Sequence, residues 1–119
     1  MKGHSVMTEM DFREAISKGL REAIEQDDRV FIMGEDIGAY GGAYAVTRGF
    51  LNDYGPSRIW ETPISESVFV GCGAGAAMVG LKPVVELMTL NFGLLAIDQI
   101  VNHAAKLRYM SNGQFTVPM

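Results

Sequence analysis

Three segments of this 119-residue chain carry polar or aromatic side chains where a connecting loop leaves an apolar run. Glu35 and Asp36 follow Val30-Phe31-Ile32-Met33-Gly34, Glu66 closes Thr62-Pro63-Ile64-Ser65-Glu66, and Met88 to Phe92 follow a run that holds Glu86. Open parallel sheets bind ligands beyond the carboxyl ends of their strands, so two carboxylates and a ring could converge there. Each residue taken alone also has a plainer reading. Glu66 suits the first turn of a helix, where it interacts with the helix dipole. Phe92 suits a core and Glu35-Asp36 a solvated loop. Glu86 is less ordinary, because a carboxylate inside an apolar strand must be paired or hydrogen-bonded, and a structural partner is expected for it.

Other chemistries find less support. Gly71-Cys72-Gly73-Ala74-Gly75-Ala76 satisfies a dinucleotide-type GxGxxA, but what precedes it is a helix start, Ser65-Glu66-Ser67, and not a hydrophobic strand. Close helix packing explains these glycines better. His4 and His103 have no cysteine or carboxylate at ligand spacing, so no metal site is expected. Cys72, alone on a small-residue helix, reads as a buried thiol.

The elements that must position these residues follow from periodicity. Phe12, Ala15, Ile16, Leu20, Ala23 and Ile24 form a helical stripe whose start Thr8, followed by Asp11, can cap. Val30–Met33 is a buried strand, Glu35–Thr47 a glycine-rich loop at a sheet edge, Arg48–Tyr54 a short helix and Arg58–Trp60 a second strand. Ser65 can cap a helix over Glu66–Val79 that Gly80 stops, and Pro83–Met88 is a third strand. A single last helix is expected from Leu94 to Tyr109. Phe115–Met119 reads as the start of another strand, so the domain is expected to be incomplete at its C-terminal end. The alternation predicts an α/β fold with a mostly parallel sheet flanked by helices on both faces. Residues 1–7 are expected to be a flexible N-terminus.

Composition bounds the partners. A net charge of -4 and a pI near 5.0 speak against a nucleic-acid-binding module. No apolar run approaches the roughly 20 residues of a membrane span. With one cysteine and no signal-like apolar stretch, a reducing, cytoplasmic setting is expected.

The order of segments is more informative than any one of them. Val30–Ile37, Gly41-Gly42-Ala43-Tyr44, Glu61–Glu66, Gly75–Pro83 and Ala96-Ile97-Asp98-Gln99-Ile100 stand in an order and spacing that resemble the beta subunit of the thiamine-diphosphate-dependent component of 2-oxo acid dehydrogenase complexes, pyruvate dehydrogenase-like, from about Met7 to Met119. The resemblance implies that residues 8–119 are its N-terminal pyrimidine-binding domain, of transketolase-like fold. It implies that Glu66 hydrogen-bonds a ring nitrogen of the cofactor's aminopyrimidine and favours the imino tautomer, which deprotonates the thiazolium to an ylid for oxidative decarboxylation and acyl transfer to lipoyl. Phe92 matches the ring that packs on the pyrimidine, and Met88, Ile64 and Glu35 match positions lining the same pocket. The implied partners are an alpha subunit that supplies magnesium and the diphosphate site, a second beta subunit, a lipoyl-bearing acyltransferase component and a 2-oxo acid substrate. The isolated chain is then expected to be inactive. A non-catalytic assembly module and a transketolase-like half of another thiamine enzyme remain alternatives.

Overall fold

The computed structural model describes residues 9–119. Thr8, His4 and the N-terminal segment expected to be flexible lie outside the described residues. Helix α1, Phe12–Gln26, starts at Asp11, whose carboxylate accepts from the Glu14 N–H at 2.8 Å while Glu14 accepts from the Asp11 N–H at 3.2 Å. This reciprocal cap satisfies two otherwise unpaired amides and contributes about 1 kcal/mol.

Strand β1, Val30–Gly34, is buried along its whole length at the centre of a three-stranded sheet. Strand β2, Ile59–Glu61, and strand β3, Lys82–Val85, pair with it in parallel on either side, with Ile32 opposite Ile59 and Val30 opposite Lys82. Successive β1 side chains enter different cores, as the twofold alternation of a strand dictates. Val30 and Ile32 join Ile24 of α1, Ile37, Ile59 and Phe50, the last from the short helix α2, Phe50–Tyr54. Phe31 and Met33 join Ala96 and two residues of helix α3, Glu66–Met78, namely Phe69 and Val70. Helices therefore cover both faces, the architecture that the unbroken apolar run of β1 requires.

Several boundaries differ from the sequence reading. Helix α2 starts at Phe50 and not Arg48, because Gly49 has φ +83°, a left-handed conformation no right-handed helix contains. Ser65 occupies the N-cap position of α3 but its hydroxyl makes no capping bond; Phe69 N–H donates to the Ser65 carbonyl at 3.0 Å. Strand β3 ends at Val85, although the Glu86 N–H still donates to the Met33 carbonyl at 2.9 Å.

The expected continuous last helix is broken. A 3-10 helix, Leu90–Ala96, is followed by a π-helix, Gln99–Ala104, and by helix α4, Leu107–Met110. Retuning the turn buries Ala96 in the α3 cluster and lays the Gln99 side chain over Gly71, where an added Cβ would stand 3.0 Å from Oε1. Leu94, Ile97 and Val101, whose spacing suits one side of a single helix, are exposed. Residues 115–119 form no strand. No helix among the described residues is long and apolar enough to cross a membrane.

Candidate functional site

Because all three strands run parallel, their carboxyl ends lie at one edge of the sheet, and each delivers a chain segment there. Strand β1 passes directly into Glu35, and Glu86 follows the last residue of β3. The chain leaving β2 is held against β1 for one more residue, through the Thr62 N–H donating to the Gly34 carbonyl at 2.9 Å, before it turns into α3 at Glu66. Glu35 and Glu66 are only 4 % and 5 % exposed, so Glu35 is not the solvated carboxylate that its loop suggests, and Glu66, in the first turn of α3 as expected, is buried there.

The three carboxyls interact. Burial pushes the Glu35 carboxyl above its ordinary range, and the Glu66 carboxylate, as neighbouring charge and as hydrogen-bond partner, pushes it the same way, with a smaller push from Asp36. Burial likewise raises Glu86, with the charge of Glu35 adding to it. Glu35 thus stands between two other carboxyls and has the character of a group that keeps its proton where an exposed glutamate would lose it.

The set is also short of partners. Glu35 Oε1, Glu86 Oε2 and Thr62 Oγ1 are buried without a hydrogen bond. Among the described residues the structural partner expected for Glu86 is absent: the strand it follows brings it beside the carboxyl of Glu35. Backbone packing holds it in place. Gly42, at φ +81°, lets the loop backbone lie so close that an added Cβ would be 3.3 Å from both Glu86 Oε1 and Thr47 Oγ1. At Gly34 an added Cβ would meet the Glu86 carbonyl oxygen at 2.9 Å. Thr47 in turn donates to the Ile37 carbonyl at 2.8 Å and ties the loop to the core.

Of the other residues singled out in the sequence, Met88 and Phe92 are half-buried and belong to neither core cluster. Ile64 is 81 % exposed. Cys72 is exposed, not buried, because it shares the outer side of α3 with Val68, Gly75 and Val79, while Phe69 and Gly73 face inward. His103 has a carboxylate within reach after all, Asp98 at 3.4 Å, an exposed pair on the π-helix. Among the described residues no group of three His, Cys, Asp or Glu is arranged to hold a metal ion. The coupling of Glu86 to Glu35, and the buried Thr62 hydroxyl, escaped the sequence reading; the one available signal was a carboxylate in an apolar strand.

A parallel sheet with two layers of helices and a buried polar set at its carboxyl edge defines a class of ligand-binding α/β domain. The chain belongs to the transketolase pyrimidine binding domain family, whose model matches residues 8–119. Over 111 residues, 93 % of this chain, it is 53 % identical to the pyruvate dehydrogenase E1 component subunit beta-1, mitochondrial, of Arabidopsis thaliana. It is 52 % identical over 90 % of its length to the corresponding mitochondrial beta subunit of Bos taurus, and 50 % identical over 95 % to the beta subunit of Staurastrum punctulatum. The chain spans about a third of the length of these relatives, 31 %, 30 % and 34 % respectively. The expected cytoplasmic setting is overturned by the relatives of Arabidopsis thaliana, Pisum sativum and Bos taurus, which are named as mitochondrial proteins. A single cysteine reports redox conditions and not an address.

Proposed function

We propose that this chain is the pyrimidine-binding part of the beta subunit of a pyruvate dehydrogenase E1 component, and that Glu66 activates thiamine diphosphate. The observation that carries the reading is the buried Glu66–Glu35 pair at the carboxyl edge of the sheet, beside polar atoms that lack partners. Such a set fits an aminopyrimidine, which offers both ring acceptors and amino donors to groups that are otherwise unsatisfied in a buried place. Thiamine diphosphate, when bound, supplies a carbon nucleophile and an electron sink for decarboxylating a 2-oxo acid.

The residues of this chain would bind and orient the pyrimidine and hold a proton at its ring nitrogen. Glu66 is the hydrogen-bond partner of that nitrogen. Glu35, with its raised pKa, holds a proton next to Glu66 and limits the charge the pair carries. Phe92 and Met88 present apolar surface to the pyrimidine, and Ile64, open to solvent in the isolated chain, takes its place at the pocket when an alpha subunit closes over it. Magnesium and the diphosphate are assigned to that alpha subunit; a second beta subunit, a lipoyl-bearing acyltransferase component and pyruvate complete the assembly.

The exposed Leu90, Leu94, Leu95 and Tyr109 suit the partner face of such an assembly, and they equally favour a second reading in which the chain serves only as an assembly module. The two separate on one substitution. In full-length beta subunit assembled with its alpha subunit, Glu66→Gln lowers pyruvate decarboxylation by at least about 100-fold while the assembly still forms. Unchanged turnover in an intact assembly removes Glu66 from the mechanism.

A further inference from the structure

On the thiamine reading of Glu35 and Glu66, on which this rests, we propose that Glu86 serves the same reaction as an uncharged carboxylic acid: a positioning residue that works through Glu35 without touching the pyrimidine. The β1–β3 register sets Met33 opposite Val85, so the next residues along are Gly34 and Glu86. With no side chain at Gly34 the two segments close tightly, to where an added Cβ would lie 2.9 Å from the Glu86 carbonyl oxygen and 3.0 Å from its Cβ. Over the carboxyl lies the loop that follows β1, and that loop is closed on itself. The Gly42 N–H donates to the Asp36 carbonyl at 2.8 Å and the Thr47 N–H to the Gly41 carbonyl at 3.1 Å. An added Cβ at Gly42 would stand 3.3 Å from Glu86 Oε1, while Oε2 is buried without a hydrogen bond. Thr47 is no donor to it, because its hydroxyl proton goes to the Ile37 carbonyl.

The charges in this neighbourhood are mostly of one sign. The carboxylate that bears on Glu86 is Glu35, while Glu66 and Asp36 bear on Glu35. Glu61, at the end of β2, lies against Gly38 in the same loop. Arg48, the cation that ends the loop, packs its backbone on Gly41, and among the described residues no Lys or Arg forms an ion pair with Glu86.

A carboxyl with an acidic neighbour, no cation and no donor is more stable with its proton on. The protonated acid has what the ionised one lacks, an O–H to give, and Glu35 Oε1 is a buried acceptor without a partner. The neutral form therefore steadies Glu35 beside Glu66, and ionisation replaces that attraction by repulsion between like charges. Burial first, and then the charge of Glu35, move this ionisation above the ordinary glutamate range.

The test uses full-length beta subunit assembled with its alpha subunit, and compares Glu86→Gln, uncharged and still a donor, with Glu86→Leu, which donates nothing. Glu86→Leu should lower kcat for pyruvate decarboxylation by about tenfold with KM little changed, and Glu86→Gln should restore most of that loss. Infrared spectra of the assembly without cofactor give a readout apart from activity. The wild type should show a carboxylic-acid C=O stretch that persists above the ordinary value of 4.5 and is missing from Glu86→Gln. Wild-type turnover should fall as pH rises through the point where that band disappears, and in Glu86→Gln this limb should move up by at least about half a pH unit. Gln as damaging as Leu, full activity with Leu, no such band, or an unmoved limb would each overturn the proposal. Glu66→Gln is run alongside. If it loses turnover while the Glu86 variants match the wild type, this inference alone fails; if it keeps turnover, the thiamine reading fails and this inference with it.

Discussion

The two ends of the central sheet treat charge in opposite ways. At the amino end, Asp27 accepts from the Arg29 side chain at 2.8 Å and from Lys82 at 2.8 Å. Arg58 donates to three backbone carbonyls, those of Val30, Ile24 and Asp27, at 2.7, 2.7 and 2.9 Å. Every strand contributes to this network, since Arg29, Arg58 and Lys82 stand at or just before the starts of β1, β2 and β3. At the carboxyl end Glu35 stands beside both Glu66 and Glu86, none of them in an ion pair among the described residues, and three buried polar atoms there lack a hydrogen bond. A buried group without partners costs folding free energy, and it is kept where a ligand or a reaction makes use of it. One end holds the domain together, and the other is the end we propose for the pyrimidine.

The contrast can be broken first at Glu66. Glu66→Gln is expected to remove at least about 100-fold of turnover from the reconstituted enzyme, while the thermal midpoint of the chain, followed by circular dichroism, stays level or rises. Conversely, Arg58→Ala should leave turnover per folded enzyme unchanged and destabilise the chain by about 3 kcal/mol, because three carbonyls lose a charged donor in a largely buried place. Urea titration of the isolated chain measures it. A fall in turnover without loss of stability would erase the division between the ends.

Proton linkage sharpens the comparison. Glu35 and Glu86 have raised pKa values in the folded chain, so the fold binds their protons better than the unfolded chain does. Their contribution is fully present below the ordinary glutamate value of 4.5 and is lost as pH rises through the raised folded value. Glu35→Gln should therefore raise the melting temperature at neutral pH by a few degrees and flatten its decline above pH 4.5. Asp27 behaves the other way. Hydrogen bonds from Arg29 and Lys82 hold its carboxyl well below the usual value of 3.8, so its contribution is present above that value and is lost as pH falls further. Asp27→Asn should give the smallest change, seen only as a loss near neutral pH that disappears in acid and shrinks with salt, since the ion pairs are partly exposed. Melting curves across pH compare the two slopes directly.

The sequence brought two carboxylates toward one place at the level of segments and did not show which side chains touch. Val30–Met33 is legible as a buried strand because an unbroken apolar run has few other uses, whereas the cap of α1, read as Thr8 followed by Asp11, is the box that Asp11 forms with Glu14. Glu66 could be placed at the start of α3, but nothing local says that Glu35, thirty-one positions earlier, lies against it; that contact exists only once β1 and β2 pair. The amino-end network was missed for the same reason, as Lys82 meets Asp27 only through the β1–β3 pairing. The last helix failed differently. Its apolar residues suit helical spacing, yet fitting Ala96 and Gln99 against the glycines of α3 demanded changes of turn that periodicity does not encode.

The strand order β2-β1-β3 also governs how the chain can be made. Strand β1 is the earliest of the three to leave a ribosome and, among the described residues, the only one with neighbours on both sides. Its pairing with β3 joins Val30 to Lys82, and therefore waits for about fifty further residues to be synthesised. Until then the most apolar strand of the domain has one bare edge, open to pairing with other chains.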